Sequence, residues 1–131
     1  MNHIVEELKN VKVFYVATVE EDQPRVRPFS SVAEFEGKVY LCTNNTKEIY
    51  RQIMANPKVE ISGMGKGGTW IRISANLVHD DRDEARVAML ADPTGPSNLY
   101  KVGDGIFEVF YMKDAVCTKY SFTADPVVIE E

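Results

Sequence analysis

Three basic residues of the segment from residue 24 to residue 47 are candidates for binding an anion: Arg25, Arg27 and Lys47. Arg25 and Arg27 are two positions apart in a strand-like run, so their side chains project from the same face. Lys47 lies at the start of a predicted helix, where the helix dipole disfavours a cation by about 0.3–1 kcal/mol. Free N–H groups at a helix start bind anions readily. This combination predicts a site for a phosphorylated ligand.

Three neighbouring residues complete this candidate site. We expect the hydroxyls of Thr43 and Thr46 to hold the anion together with Lys47, while Arg27 reaches it from the adjacent strand. Pro28 lacks a backbone donor, which predicts an interrupted strand or an edge strand with backbone groups free for a ligand. A solvated strand face is the ordinary alternative for the arginines.

Other residue patterns indicate structure and no second chemistry. Residues 63–68 have the spacing GxGxxG, but a dinucleotide site needs a helix after this motif to hold the pyrophosphate. Residues 69–78 are strand-forming, so the motif predicts a hairpin turn. Trp70 is the only tryptophan, with a core or interface role as one interpretation and stacking on an aromatic ligand as the other. His3 and His79 have no partner at metal-ligand or catalytic spacing.

The composition is that of one ordinary globular domain over residues 1–131. A net charge of −5 argues against a nucleic-acid partner, because no excess of positive charge offsets phosphate repulsion. Two cysteines form neither a zinc site nor a disulfide framework. The polar N-terminus lacks the apolar core of a signal peptide, and no apolar run approaches the roughly 20 residues of a membrane span. We therefore expect a cytoplasmic protein.

Periodicity and turn residues predict the elements that position these groups. Strands are predicted over residues 11–19, 25–34, 38–43, 58–62, 69–78, 106–112 and 115–122, and helices over residues 2–10, 46–55 and 80–90. Asn45 is the predicted cap of the second helix, with Glu48 completing a capping box. Residues 123–131 form an edge strand or are disordered. Strands in neighbouring pairs with short turns predict a mainly β fold, a six- to seven-stranded antiparallel barrel with short peripheral helices.

Four segments carry a resemblance to a known family: VATVEEDQPRVRPFS, GKVYLCTNNTKEIYRQIMANPKVEIS, WIRISANLV and IFEVFYM. In order and spacing they resemble the pyridoxamine 5′-phosphate oxidase-like, FMN-binding split-barrel proteins. The resemblance covers nearly the whole chain. It implies a homodimer of split β-barrels with two FMN sites at the subunit interface.

The resemblance also implies roles for individual residues. Arg27 corresponds to the arginine that approaches the flavin phosphate, and Thr46 and Lys47 resemble the phosphate-binding pair. Trp70 stands where the family often has a glutamine that reaches the flavin from the partner subunit. The backbone from Pro28 to Ser30 resembles the segment along the isoalloxazine edge. The full set of candidate FMN-binding residues is Arg25, Arg27, Pro28, Phe29, Ser30, Thr43, Asn44, Thr46, Lys47 and Trp70.

Two departures from the family pattern narrow the expected activity. The true oxidases end in a signature with a tryptophan and two arginines around a histidine, whereas this chain continues with KDAVCTKYSF after FEVFYM. This argues against pyridoxamine phosphate oxidation. The nitroimidazole-reductase-like branch commonly has a histidine before the phosphate turn, and Cys42 stands at about that place here.

The leading interpretation is an FMN-dependent oxidoreductase that takes electrons from NADH or NADPH and passes them to a small acceptor. An electron carrier without a dedicated substrate is the first alternative. Haem or the deazaflavin F420 on the same scaffold is the second. The sequence identifies no catalytic acid or base, and it specifies neither the substrate nor the nicotinamide donor.

Overall fold

The computed structural model describes residues 2–131 as a mainly antiparallel β structure with three short helices. The helices are α1 (His3–Val11), α2 (Glu48–Ala55) and α3 (Asp83–Ala91). The strands are β1 (Phe14–Glu20), β2 (Gln23–Phe29), β3 (Ala33–Phe35), β4 (Lys38–Asn44), β5 (Lys58–Met64), β6 (Thr69–Asp80), β7 (Phe107–Ser121) and β8 (Val127–Ile129). The strand order is β2-β1-β5-β6-β7-β4-β3, and β8 pairs with β7. The predicted fold class is confirmed, with eight strands in place of six or seven.

The larger of two core clusters lies on the inner face of the sheet, where α1 packs against it. Phe14, Val16 and Ile61 are fully buried on this inner face, and Ile4 and Leu8 of α1 join them in the same apolar cluster. The intervening side chains point to the opposite, outer face, because successive residues of a strand alternate. Tyr15 is 50% exposed there. The prediction that the first strand is covered on both sides is therefore wrong, since the outer face of β1 stays partly exposed. The outer face is covered further along the sheet, where α3 packs on β4 and β7.

The two predicted C-terminal strands are one continuous strand of 15 residues, β7. It pairs with β6 along most of its length, with a register shift between Ser74 and Asn76. The expected turn around residue 114 is only a local irregularity, at which Asp114 takes a positive φ of 56°. The glycine-rich motif forms the β5–β6 hairpin turn, as predicted. The end of the chain contributes the short strand β8.

The predicted strand over residues 25–34 is two strands, β2 and β3. β2 pairs with β1 from Gln23 to Phe29 without interruption, and among the described residues it has no strand partner on its other side. Pro28 therefore lies in an edge strand, which was one of the two expected outcomes, and does not break the ladder. After Phe29 the chain crosses to β3, which pairs with β4.

The predicted cap of α2 is wrong. Lys47 occupies the N-cap position, and no side chain there accepts a hydrogen bond from the helix. Asn45 instead donates from Nδ2 to the carbonyl of Gly105 and to Glu108, each at 2.9 Å. The capping pattern thus fails because a long-range contact holds the Asn45 amide. The consequence is a helix start without a side-chain cap.

The third helix begins later than predicted, at Asp83. Asp80 is the last residue of β6 and accepts hydrogen bonds from the backbone and guanidinium of Arg82 and from the Tyr40 hydroxyl. This buried carboxylate fastens the β6–α3 turn to β4. Across residues 2–131, every helix is too short or too polar to cross a membrane.

Candidate functional site

A cleft of about 200 Å³ opens where the end of β2, the end of β4, the start of α2 and the loop between α3 and β7 meet. Six of the ten residues proposed from sequence line it. They are Arg27, Pro28, Phe29, Ser30, Thr43 and Lys47. The other lining residues are Ser31, Cys42, Ile49, Pro96, Leu99 and Tyr100. Residues from three separate parts of the chain therefore form one concave surface.

Arg27 is held in place by uncharged partners. One terminal nitrogen of its guanidinium donates to the Val16 carbonyl at 3.1 Å and to the Thr18 hydroxyl at 2.8 Å. The other donates to Gln52 Oε1 at 2.7 Å. Both Thr18 and Gln52 are buried, and the Thr18 hydroxyl also donates to Gln52. The side chain is thus oriented without being neutralised, and partial burial lowers the pKa of Arg27.

Arg27 is the only arginine of the described chain that has no carboxylate partner. The other five arginines form ion pairs: Arg25 with Glu20, Arg51 with Glu48, Arg72 with Glu60, Arg82 with Glu36 and Asp80, and Arg86 with Asp81, Asp83 and Glu108. A partly buried cation without a counter-ion is costly unless an anion joins it. Its Nε–H group and one terminal N–H remain available to such an anion.

The start of α2 forms the second part of the cationic surface. Lys47 is exposed, lines the cleft and has no ion pair among residues 2–131. The backbone N–H groups of Glu48 and Ile49 have no acceptor in the described part of the chain. The Glu48 carboxylate pairs with Arg51. Donors at a helix N-terminus beside a lysine suit a phosphate group.

Four residues proposed from sequence do not line this cleft. Arg25 is an exposed residue paired with Glu20 at 3.0 Å. Thr46 donates from its amide and its hydroxyl to Asn44 Oδ1. Asn44 is 7% exposed, and its side chain bonds only to protein groups. Both residues therefore support the cleft wall from behind.

Trp70 lies far from the cleft within one chain. It is on the outer face at the beginning of β6, where its ring stacks on Tyr120 at 5.6 Å. His79, near the other end of β6, contacts Tyr50 of α2 at 5.8 Å between ring centroids. Nine residues of strand at about 3.3 Å each place Trp70 about 30 Å from that end. Trp70 is not among the residues that line the cleft, and its predicted role stays a prediction.

Cys42 faces the cleft but is not an activated nucleophile. Burial raises the pKa of its thiol to about 12, although Ser31 and Lys47 act in the opposite direction. The thiol is therefore protonated at neutral pH, and reactivity requires the thiolate. Cys42 contributes a small, weakly polar part of the cleft wall.

A larger cleft of about 420 Å³ lies between the C-terminal end of α1, the beginning of β6 and the end of β7. It contains four lysines, of which Lys9 pairs with Asp92 and Lys119 with Glu7. Lys9 and Lys12 lie at the C-terminal end of α1, where the helix dipole favours cations. Helix stabilisation and ion pairing account for much of this charge, so we place the functional site at the smaller cleft.

His79 has neighbours that the sequence analysis missed. Its Nε2 is 2.9 Å from Glu108, and Asp81 joins them to form a group whose donor atoms lie within 4.8 Å of one another. Arg86 donates to both carboxylates, at 2.7 and 2.8 Å. The guanidinium already pairs with both carboxylates, so the arrangement is an ion-pair network that fastens α3 to β7. The expectation that His79 has no partner at metal-ligand distance is wrong in this respect.

The loop residues of the cleft carry no local sequence signal. Thr94 ties this loop to the residues after β2 by accepting from the Val32 amide and the Ser31 hydroxyl. Gly95 allows the loop to turn back on α3, because a Cβ there would lie 2.1 Å from the Met89 carbonyl oxygen. Gln52, in contrast, could have been recognised from the sequence, because it is a polar residue within the apolar stripe of its helix.

The fold is similar to those of several solved structures. No curated protein matches the chain. A NimC/NimA family protein from Clostridium acetobutylicum has 47% identity and a TM-score of 0.90, with 96% of this chain and 91% of that chain covered. A pyridoxamine 5′-phosphate oxidase-related, FMN-binding protein from Nostoc punctiforme has 16% identity and a TM-score of 0.68, with 95% and 81% covered. A heme-binding protein from Mycobacterium smegmatis has 17% identity and a TM-score of 0.71, with 95% and 57% covered.

The two distant structures show a shared fold only, whereas the first is similar in sequence along nearly the whole chain. Residues 1–99 also match the family described as pyridoxamine 5′-phosphate oxidase. This match includes β1 to β6, α1 to α3 and most residues of the cleft. On these grounds the chain belongs to the pyridoxamine 5′-phosphate oxidase family.

Proposed function

We propose that this protein binds FMN in the cleft between β2, β4 and α2, with the phosphate held by Arg27, Lys47 and the amides at the start of α2. The observation that carries the proposal is Arg27, which is oriented by Thr18 and Gln52 and lacks a carboxylate partner within residues 2–131. An anionic ligand supplies the missing counter-charge. The Nostoc punctiforme protein with a similar fold is an FMN-binding protein, which supports this choice of ligand.

The remaining residues of the cleft suit the aromatic part of the cofactor. Phe29, Ile49 and Leu99 provide apolar surface, and the backbone from Pro28 to Ser30 runs along the open edge of β2. When bound, FMN supplies the redox chemistry, accepting electrons from NADH or NADPH and passing them to a small acceptor. The chain's own side chains bind and orient it.

We infer that two copies of the chain form the complete site. About 200 Å³ is small beside ligand pockets of roughly 300–1,000 Å³, so this cleft lacks part of its wall. The outer face of the sheet offers a surface for a second copy. Its exposed apolar side chains include Tyr15, Val26, Met64 and Val116, which are 50 to 66% exposed. Polar residues such as Glu60 and Arg72 lie between them, and a mixed surface of this kind is common in protein interfaces.

The test of FMN binding uses the wild-type protein and the Gln52→Glu variant. We expect purified protein to be yellow, or to bind added FMN, with the absorbance of a flavin and no Soret band. In Gln52→Glu a carboxylate lies 2.7 Å from the Arg27 guanidinium and replaces the ligand as its counter-ion. FMN affinity should fall about tenfold, because a charge-assisted hydrogen bond contributes about 1.5–3 kcal/mol.

The control for this experiment is Gln23→Glu, which makes the same chemical change at an exposed position at the start of β2. Fluorescence titration should give it wild-type affinity. Colourless wild-type protein that ignores added FMN would rule out the proposed function. Equal affinity in the two variants would show that Arg27 does not meet the phosphate.

The subunit proposal is tested at Met64, which is the last residue of β5 on the outer face and is 63% exposed. Sedimentation velocity should show a wild-type dimer, and Met64→Lys should shift it towards monomer with weaker FMN binding, because burying a lysine at the interface is costly. Val87→Lys on α3 is the matched control, since Val87 is 55% exposed away from the sheet face. A wild-type monomer with bound FMN would contradict the proposal.

A further inference from the structure

Tyr100 reaches the cleft from the loop between α3 and β7, far along the chain from the other polar groups there. Its ring stacks on Phe107, with 5.1 Å between centroids and 25° between planes. Its hydroxyl lies 2.6 Å from Nδ2 of Asn44, the last residue of β4. The ring and the hydroxyl are therefore both held, and the position of the phenol oxygen is determined by two elements of the barrel.

The direction of the Asn44–Tyr100 hydrogen bond follows from a backbone contact. The amide N–H of Thr46 can only donate, and it lies 3.0 Å from Asn44 Oδ1. Oδ1 is therefore the acceptor side of Asn44, and Nδ2 is the donor that faces Tyr100. The Tyr100 oxygen accepts this bond, so its own O–H proton is not used. Within residues 2–131 that proton has no acceptor.

This chain of contacts also locates the free proton. Thr46 precedes Lys47, the N-cap residue of α2, and both the Thr46 amide and the Tyr100 hydroxyl contact the Asn44 side chain. The Tyr100 oxygen is thus linked through the Asn44 side chain to the Thr46 amide, next to the N-cap of α2. It is beside the cationic part of the cleft, where Lys47 and the free amides of α2 are found.

We propose that Tyr100 donates a hydrogen bond to the phosphate group of the ligand and makes the cleft selective for FMN over riboflavin. The inference rests on the FMN site proposed above. An O–H group that donates to an anionic oxygen forms a stronger bond than one between neutral groups. The Asn44 amide has a positioning role, since its N–H donates to the phenol oxygen and leaves the O–H proton for the ligand.

The experiment compares FMN and riboflavin binding in wild-type protein and Tyr100→Phe. Phenylalanine keeps the ring that stacks on Phe107 and removes only the hydroxyl. We expect FMN affinity to fall about tenfold and riboflavin affinity to be unchanged, because riboflavin has no phosphate. Inorganic phosphate should also compete less well with FMN in the variant. Fluorescence titration measures both affinities, and the melting temperature shows that the variant is folded.

The matched control is Leu99→Ala, next to Tyr100 in the same cleft wall. It should affect FMN and riboflavin to the same extent. Equal FMN affinity in wild-type protein and Tyr100→Phe would overturn the inference, as would an equal loss for both flavins, which indicates a structural role. These outcomes leave the proposed function intact. Wild-type protein that binds neither flavin would disprove the proposed function, and the role of Tyr100 with it.

Discussion

Replacing Lys47 with glutamate is expected to weaken FMN binding by about two orders of magnitude while leaving the fold intact. The substitution removes one charge-assisted hydrogen bond to the phosphate, worth about 1.5–3 kcal/mol, and adds repulsion. Lys47 is exposed and makes no ion pair in the described chain, so its replacement breaks no structural contact. A glutamate at a helix N-terminus also interacts favourably with the helix dipole. Stability should therefore be unchanged or slightly raised.

The comparison that isolates this effect is Lys113→Glu, an equal change of charge at an exposed position in β7 outside the cleft. Titration of FMN fluorescence should give Lys113→Glu near-wild-type affinity, with any small loss reflecting the overall charge of the protein. The difference in FMN affinity between Lys47→Glu and wild type should shrink at high salt, because salt screens exposed charges. If Lys47→Glu binds FMN as tightly as wild type, the phosphate does not lie at the start of α2.

The largest expected effect on stability belongs to Asp80. This carboxylate is 7% exposed and accepts hydrogen bonds from the Tyr40 hydroxyl at 2.7 Å and from the backbone, Nε and a terminal nitrogen of Arg82 at 2.9–3.1 Å. Asp80→Ala leaves the buried Tyr40 hydroxyl without its acceptor. We expect a loss of about 3 kcal/mol, since breaking a buried charged network costs about that much. Urea unfolding measures it.

The same carboxylate gives this stability a characteristic pH dependence. The Arg82 hydrogen bond, aided by Tyr40, lowers the pKa of Asp80 well below its usual range, although burial opposes this. In the unfolded chain its pKa returns to about 3.9, so the unfolded state binds a proton first as the pH falls. The contribution of the Asp80 carboxylate to the free energy of unfolding is therefore complete above about pH 5 and decreases below about pH 4.

The matched variant for the pH measurement is Asp80→Asn. The difference in unfolding free energy between wild type and Asp80→Asn should be constant from pH 5 to pH 7 and shrink towards pH 3. A difference that stays constant down to pH 3 would contradict the lowered pKa of Asp80. Asp81→Asn should cost much less stability, because Asp81 is exposed and an exposed ion pair contributes little.

Local signals account for the parts of the site that are predictable from sequence. Pro28 indicates an edge strand because it lacks a donor, and Lys47 is conspicuous because a cation at a helix start is unfavourable. Both inferences depend only on neighbouring residues. The prediction that Asn45 caps α2 is wrong because the position of the Asn45 side chain depends on residues distant in sequence. The Asn45 amide is held by Gly105 and Glu108, which are 60 and 63 positions away.

The sequence by itself determines the fold class, because alternation of apolar residues and short turns specifies antiparallel strands wherever they finally pair. It also determines the basic residues of segment 24–47, from which an anionic ligand is predicted. Tertiary structure alone decides that Arg27 lacks a counter-ion, which depends on Gln52 at a separation of 25 residues. It alone decides that Tyr100 enters the cleft, through a bond to Asn44 at a separation of 56 residues. Periodicity describes how one strand or helix is patterned, and the pairing of distant elements determines which side chains meet.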